Sequence, residues 1–141
     1  MSRPAHLWPV RVYYEDTDAG GVVYYANYLK FMERGRTEFL RELGFAQSAL
    51  RKEYGVLFAV VEAQARFLRP ARLDEKLIVR TEVAELSGAR ITFAQAVLRE
   101  DDETPLVEAR VVVAAISEEG GARRIPQPVA EALARHLAEG A

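Results

Sequence analysis

The stretch YYEDTDAGGVVYYANYLKFMERGRTEFLRELG, residues 13–44, decides how this chain folds. In its second half, Tyr24, Tyr28, Phe31 or Met32, Gly35, Phe39 and Leu43 recur every three to four residues, as one face of a helix does. The spacing predicts a long helix from about Asn27, with Asn27 as N-cap and Gly44 at the C′ position. Gly35 falls on the apolar face, where a glycine costs up to ~1 kcal/mol against alanine. Its compensation is expected to be a close approach of the helix to a sheet. The first half, with Asp16, Asp18, Gly20 and Gly21, reads as a loop, preceded by a short strand over Val10–Tyr14.

Downstream of Gly44 a short helix is expected over Ala46–Glu53, and then the period drops to two. Val61, Ala63, Ala65 and Phe67 alternate with polar residues as far as Pro70. Leu77–Val83 and Ile91–Val97 are further strands, separated by a turn at Ser87-Gly88. Val107–Ile116 is an apolar run expected to be a strand buried on both faces. Val129, Leu133 and Leu137 mark a terminal amphipathic helix. The order predicts a single α+β domain over residues 1–141, an antiparallel sheet of about five strands with one apolar helix against it. Sheet edges need protection, so pairing of two copies through an edge is expected.

The composition excludes several classes. The chain has 141 residues, a net charge of −2 and no cysteine, and its two histidines lie at opposite ends. Disulfides, thiolate nucleophiles, cysteine-bound zinc and a Ser-His-Asp triad are therefore set aside. Interspersed charge argues against a nucleic-acid partner. No apolar run reaches the ~20 residues of a membrane span, and MSRPAHLWPV lacks a signal-peptide pattern, so a cytoplasmic protein is expected.

The DTDAGG loop carries the remaining chemistry. An EF-hand loop begun at Asp16 matches at Asp18 and Gly21 but fails at Gly20 and Asn27, where an acidic or amide ligand and a bidentate glutamate belong. A phosphate cradle is disfavoured by the two carboxylates and by the lack of a lysine at Walker spacing. A polar turn capped by one aspartate is the plain alternative. Against it, Tyr13-Tyr14 and Tyr24-Tyr25 would give the loop the apolar walls of a cleft. A helix N-terminus presents unpaired N–H groups and roughly half a positive charge, a ready oxyanion site. A carboxylate just ahead of it could attack the polarised carbonyl or activate water. Aspartate is weakly basic, its side chain ordinarily titrating near ~3.9, and so suits reactive acyl groups. A thioester qualifies, because a thiol of pKa ~8.5 leaves as thiolate.

The run VRVYYEDTDAGGVVYYANYLKFMERGRTEFLRELGF, continued by FLRPARLDEKLIVRTEV, resembles the 4-hydroxybenzoyl-CoA thioesterase family, closest to its Tol–Pal-associated branch. The resemblance implies a hotdog fold, a five-stranded antiparallel sheet wrapped around a long central helix. It also implies an acyl-CoA thioesterase without metal or redox cofactor, assembled as a homodimer or as a dimer of dimers, a homotetramer. The family's catalytic carboxylate, nucleophile or general base, corresponds to Asp18, and its carbonyl-polarising backbone N–H to Tyr25. Gly20 and Gly21 would let the loop approach substrate, and Tyr14 would line the site. Many relatives in that branch have histidine at the position of Tyr25, which leaves the acyl preference open.

Coenzyme A brings phosphates, for which Arg69 and Arg72 beside Pro70 are candidates, with solvated surface arginines as the plain alternative. Met32 and Phe39 read as core, Glu33 and Glu38 as solvated helix residues, and His136 as a surface residue of the last helix. Two other functions share the scaffold. One is a hotdog dehydratase or hydratase, which usually needs a histidine near the loop. The other is a non-catalytic acyl-CoA or acyl-carrier-protein binding module.

Overall fold

A computed structural model describes residues 5–137. The elements run β1 (His6–Arg11), a 3-10 turn (Tyr14–Asp16), α1 (Asn27–Glu42), α2 (Gln47–Tyr54), β2 (Leu57–Phe67), β3 (Lys76–Leu86), β4 (Arg90–Arg99), β5 (Pro105–Ile116) and α3 (Gln127–Ala134). The strands form one antiparallel sheet in the order β1-β3-β4-β5-β2. The α+β architecture and the hotdog arrangement expected from the sequence are both present. β2 and β3 follow each other in the chain but do not pair; β2 crosses to the far edge beside β5.

The central helix α1 lies on the sheet with Tyr28, Phe31, Met32, Gly35, Phe39 and Leu40 buried. Gly35 has the expected role. A Cβ built there would sit 2.6 Å from Cγ1 of Val79 on β3, so the bare backbone sets how closely helix and sheet approach. On either side of this contact the core divides in two. Phe31, Met32, Val12, Val23, Leu77 and Val97 pack at the N-terminal end of α1. Phe39, Leu40, Leu50, Ile91, Phe93 and Leu133 pack at its C-terminal end.

Several boundaries differ from the sequence reading, each for a local reason. The first strand covers His6–Arg11 and not Val10–Tyr14, because the backbone N–H of Tyr13 donates to Oδ2 of Asp16 at 2.8 Å and winds the chain into the 3-10 turn. Asn27 is the first helical residue and not the cap; Ala26 holds that position without a side-chain cap. The amide of Asn27 is engaged elsewhere, as described below. β5 alternates: Leu106, Val107, Val111, Val113 and Ala115 are buried, whereas Glu108 and Arg110 reach solvent. His136 lies beyond α3, half-buried, with its ring edge-on to Phe39 at 5.2 Å.

The two sheet edges contrast. β1 has six residues with Pro9 inside it. β2 has eleven residues without proline, and Val60, Val61 and Phe67 on it are exposed. Among the described residues no helix is long and apolar enough to cross a membrane.

Candidate active site

The loop between β1 and α1 is a small hairpin built by its own sequence. The N–H of Asp18 donates to the carbonyl of Val22 at 2.9 Å, that of Gly21 to Asp18 at 3.0 Å, and that of Tyr24 to Asp16 at 2.9 Å. Gly21 has φ +80°, the left-handed residue with which three-residue hairpin loops commonly end. Asp18 opens this turn, and its Oδ1 accepts the N–H of Gly20 at 2.8 Å, leaving the exposed carboxylate otherwise uncommitted among the described residues.

Asp16, two residues earlier, is buried and fully engaged. Its Oδ2 accepts the N–H of Tyr13 and its Oδ1 accepts Nδ2 of Asn27 at 2.9 Å. One carboxylate therefore ties the loop to the first turn of α1, while the other faces solvent. The same environment that occupies Asp16 leaves Asp18 available.

The helix start completes the constellation. Among the described residues, the N–H groups of Tyr25 and Ala26 have no hydrogen-bond acceptor, whereas those of Tyr24, Asn27, Tyr28 and Leu29 all do. Such orphan donors, with the dipole of α1 behind them, favour developing negative charge. The side chain of Tyr25 is 61% exposed; its ring lies 4.9 Å from that of Tyr24 and edge-on to Phe67 at 6.0 Å. The Tyr24 hydroxyl is held above its usual pKa of 10, chiefly by its hydrogen bond to Tyr25 and by that neighbour's charge.

A strap after β2 runs beside the loop. Val22 bridges Arg72, and the N–H of Val23 donates to the carbonyl of Ala71 at 2.8 Å. Tyr28, buried on α1, accepts the N–H of Ala71 at 3.0 Å and anchors the strap to the helix. Arg72 is thus brought beside the loop, with Arg69 three residues before it. Both arginines are exposed, and neither guanidinium meets an acceptor among the described residues. Tyr14 is the candidate that the structure does not draw in: its ring is 82% exposed, without a ring partner among the described residues.

A domain model of the thioesterase superfamily matches residues 20–106. The chain belongs to that superfamily. It is 48% identical over 116 residues to the acyl-CoA thioester hydrolase YbgC of Escherichia coli O6:H1, covering 82% of this chain and 85% of that protein. To the acyl-CoA thioesterase YbgC of Haemophilus influenzae it is 50% identical over 109 residues, covering 77% and 79%. A probable thioesterase from Bartonella henselae has the same fold, with a TM-score of 0.83 at 42% identity over 86% of this chain and 99% of that one. The family resemblance read from residues 10–45 and 67–83 is borne out, and with it the thioesterase class and the hotdog fold.

Two features of this thioesterase escaped the sequence reading. One is the Asn27–Asp16 clamp, hidden because asparagine before a helix reads first as a cap. The other is a buried polar seam between the two halves of the core. Gln95 of β4 donates through Nε2 to the carbonyl of Met32 and to Oγ1 of Thr81, both at 2.9 Å. Its Oε1 accepts Nη1 of Arg36, also at 2.9 Å. Burial holds the Arg36 guanidinium below its usual pKa, with Glu33 opposing the effect. The available signal was a glutamine at an inward position of an otherwise apolar strand.

Proposed function

We propose that the chain hydrolyses acyl-CoA thioesters to free acid and CoA, with Asp18 as nucleophile or general base. The backbone N–H of Tyr25 polarises the carbonyl. The observation that carries this reading is the pairing of a solvent-facing, uncommitted carboxylate on the hairpin with orphan N–H donors at the start of α1. A thioester carbonyl seated on those donors gains negative charge as it is attacked, which backbone N–H groups fixed at a helix start stabilise without reorganisation. The thiolate then leaves without a protonated partner. The turn at Gly20 and Gly21 keeps the approach to Asp18 free of side chains.

The exposed guanidinium groups of Arg69 and Arg72 supply a place for CoA phosphates beside the loop, which an arginine fork suits. The assembly follows from the edges. β2 is long, free of proline and carries exposed apolar side chains, so a second copy adding its own β2 gives a continuous ten-stranded sheet and covers Val61 and Phe67. A homodimer, open to further pairing into a tetramer, is the form in which the site is complete. The cytoplasm, where acyl-CoA is made and used, is its place. The test is free thiol released from short, long-chain and aromatic acyl-CoAs by wild type and Asp18→Asn. Loss of turnover in a variant of unchanged fold and assembly supports the reading; equal turnover overturns it.

A further inference from the structure

Beyond the Tyr25–Phe67 ring contact, α1 and the edge strand β2 do not pack on each other but supply opposite walls of a cleft. α1 steps through Leu29, Glu33 and Arg36, each about one turn after the last, while β2 returns through Ala63 and Val60. Between them lies a cavity of about 380 Å³ lined by Leu29, Lys30, Glu33, Arg36, Val60 and Ala63, with Val111 of β5 behind. It begins one turn beyond the orphan N–H of Tyr25. Its strand walls are hydrocarbon, as ligand cavities of this size usually are.

Arg36 differs from the other lining residues. Its guanidinium is partly buried and held in place by Gln95, itself fixed by Met32 and Thr81. Of its five donors, one is used in that contact. Hydrocarbon laid across the others would strip their water and leave donors unpaired in a desolvated place, which is costly.

We propose that this cavity takes the acyl chain of the thioester and that Arg36 sets its length. The proposal rests on the reading of the Tyr25 N–H as the carbonyl site. An acyl group leaving that site lies on Leu29, Ala63 and Val111 and stops where it meets the clamped guanidinium. Tyr25 and Arg36 are separated by about 16 Å along the helix axis, and helical side chains lean back toward the N-terminus. That leaves room for roughly eight to ten carbons. Shorter chains leave apolar wall uncovered; longer ones press hydrocarbon onto the cation.

The experiment measures kcat/KM for straight-chain acyl-CoAs from acetyl to palmitoyl, and dissociation constants for the matching S-alkyl-CoA thioethers, which cannot be hydrolysed. Both should improve by up to about fourfold per added methylene, then level or fall beyond about ten carbons. Arg36→Met should carry the rise at least two carbons further. Leu29→Trp, on the exposed side of α1, should end it earlier and does not touch the Gln95 network. A break at the same length in wild type and both variants overturns the proposal, as does a wild-type rise unbroken to palmitoyl. So does the absence of any length dependence, as when a partner's side chains fill the cavity. The thioether constants involve no chemical step, so they report on the cavity even if Asp18→Asn hydrolyses normally and the catalytic reading fails.

Discussion

Oδ1 of Asp16 accepts a hydrogen bond from Nδ2 of Asn27 at 2.9 Å, joining the Asp18 hairpin to the first turn of the central helix. The bond spans eleven residues and ties the turn that carries Asp18 to the helix start that carries Tyr25. Two atoms of Asp16 hold two partners, so each substitution here should be felt twice, in stability and in catalysis.

For Asn27→Ala we expect a loss of about 1.5–3 kcal/mol in unfolding free energy, the usual range for a hydrogen bond to a charged group. Turnover should fall with it, because small displacements at a reacting centre are expensive. Urea unfolding alongside kcat/KM checks this. A variant that loses neither would show the clamp to be ornamental.

Asp18→Asn should lower kcat by ~10²–10⁴, the range for a positioned acid–base group, while leaving unfolding free energy nearly unchanged. Its carboxylate makes a single exposed contact, to the N–H of Gly20, which the asparagine oxygen can replace. Circular dichroism and sedimentation should superimpose on wild type.

Tyr25→Phe separates backbone from side chain. If the donor is the backbone N–H, kcat/KM should stay within a few-fold of wild type, since the phenylalanine keeps the ring contact with Phe67. A fall of a hundredfold or more would place the chemistry on the hydroxyl instead.

Tyr28 predicts an alkaline limit. Burial holds its hydroxyl above the usual value of 10, partly offset by the hydrogen bond from Ala71. The folded state therefore keeps the proton when the unfolded chain begins to release it. Its contribution to stability is complete below pH 10 and is lost as pH rises through the folded pKa. Tyr28→Phe should be less stable at neutral pH, by about 1–3 kcal/mol for the orphaned Ala71 N–H, but should lose less stability above pH 10. Denaturant midpoints at pH 8 and 11 decide it.

Val61→Lys tests the edge. Val61 falls at the irregularity in the β2 ladder and is 48% exposed, so lysine costs the protomer little. If β2 pairs with its copy as proposed, a lysine in each edge should shift sedimentation toward the monomer and lower activity in step. An unchanged assembly would move the interface elsewhere.

Much of this molecule is written in local pattern. The helix face from Tyr24 to Leu43, the turn at Ser87-Gly88 and the close approach at Gly35 all follow from spacing that adjacent residues enforce. The family signature points to Asp18 and Tyr25 from equally local pattern, since hairpin and helix start are contiguous in the chain. What spacing does not carry is the far end of a side chain. The Asn27 amide turns back to Asp16, Gln95 reaches Arg36 across 59 residues, and the His136 ring meets Phe39 edge-on. The hairpin sets the first of these partners and tertiary packing the other two, Gln95 reaching α1 from β4 at the centre of the sheet order β1-β3-β4-β5-β2.

That strand order also carries an arithmetic of growth. At β1 the ladder ends in six residues with Pro9 among them, a position that offers no N–H to an incoming strand. At β2 it ends in eleven residues able to receive one. In the proposed dimer, a sheet with one receptive and one refractory margin would accept a single copy and then be closed on both sides. Pro9 would then block open-ended growth of the sheet from the margin opposite the one proposed to pair.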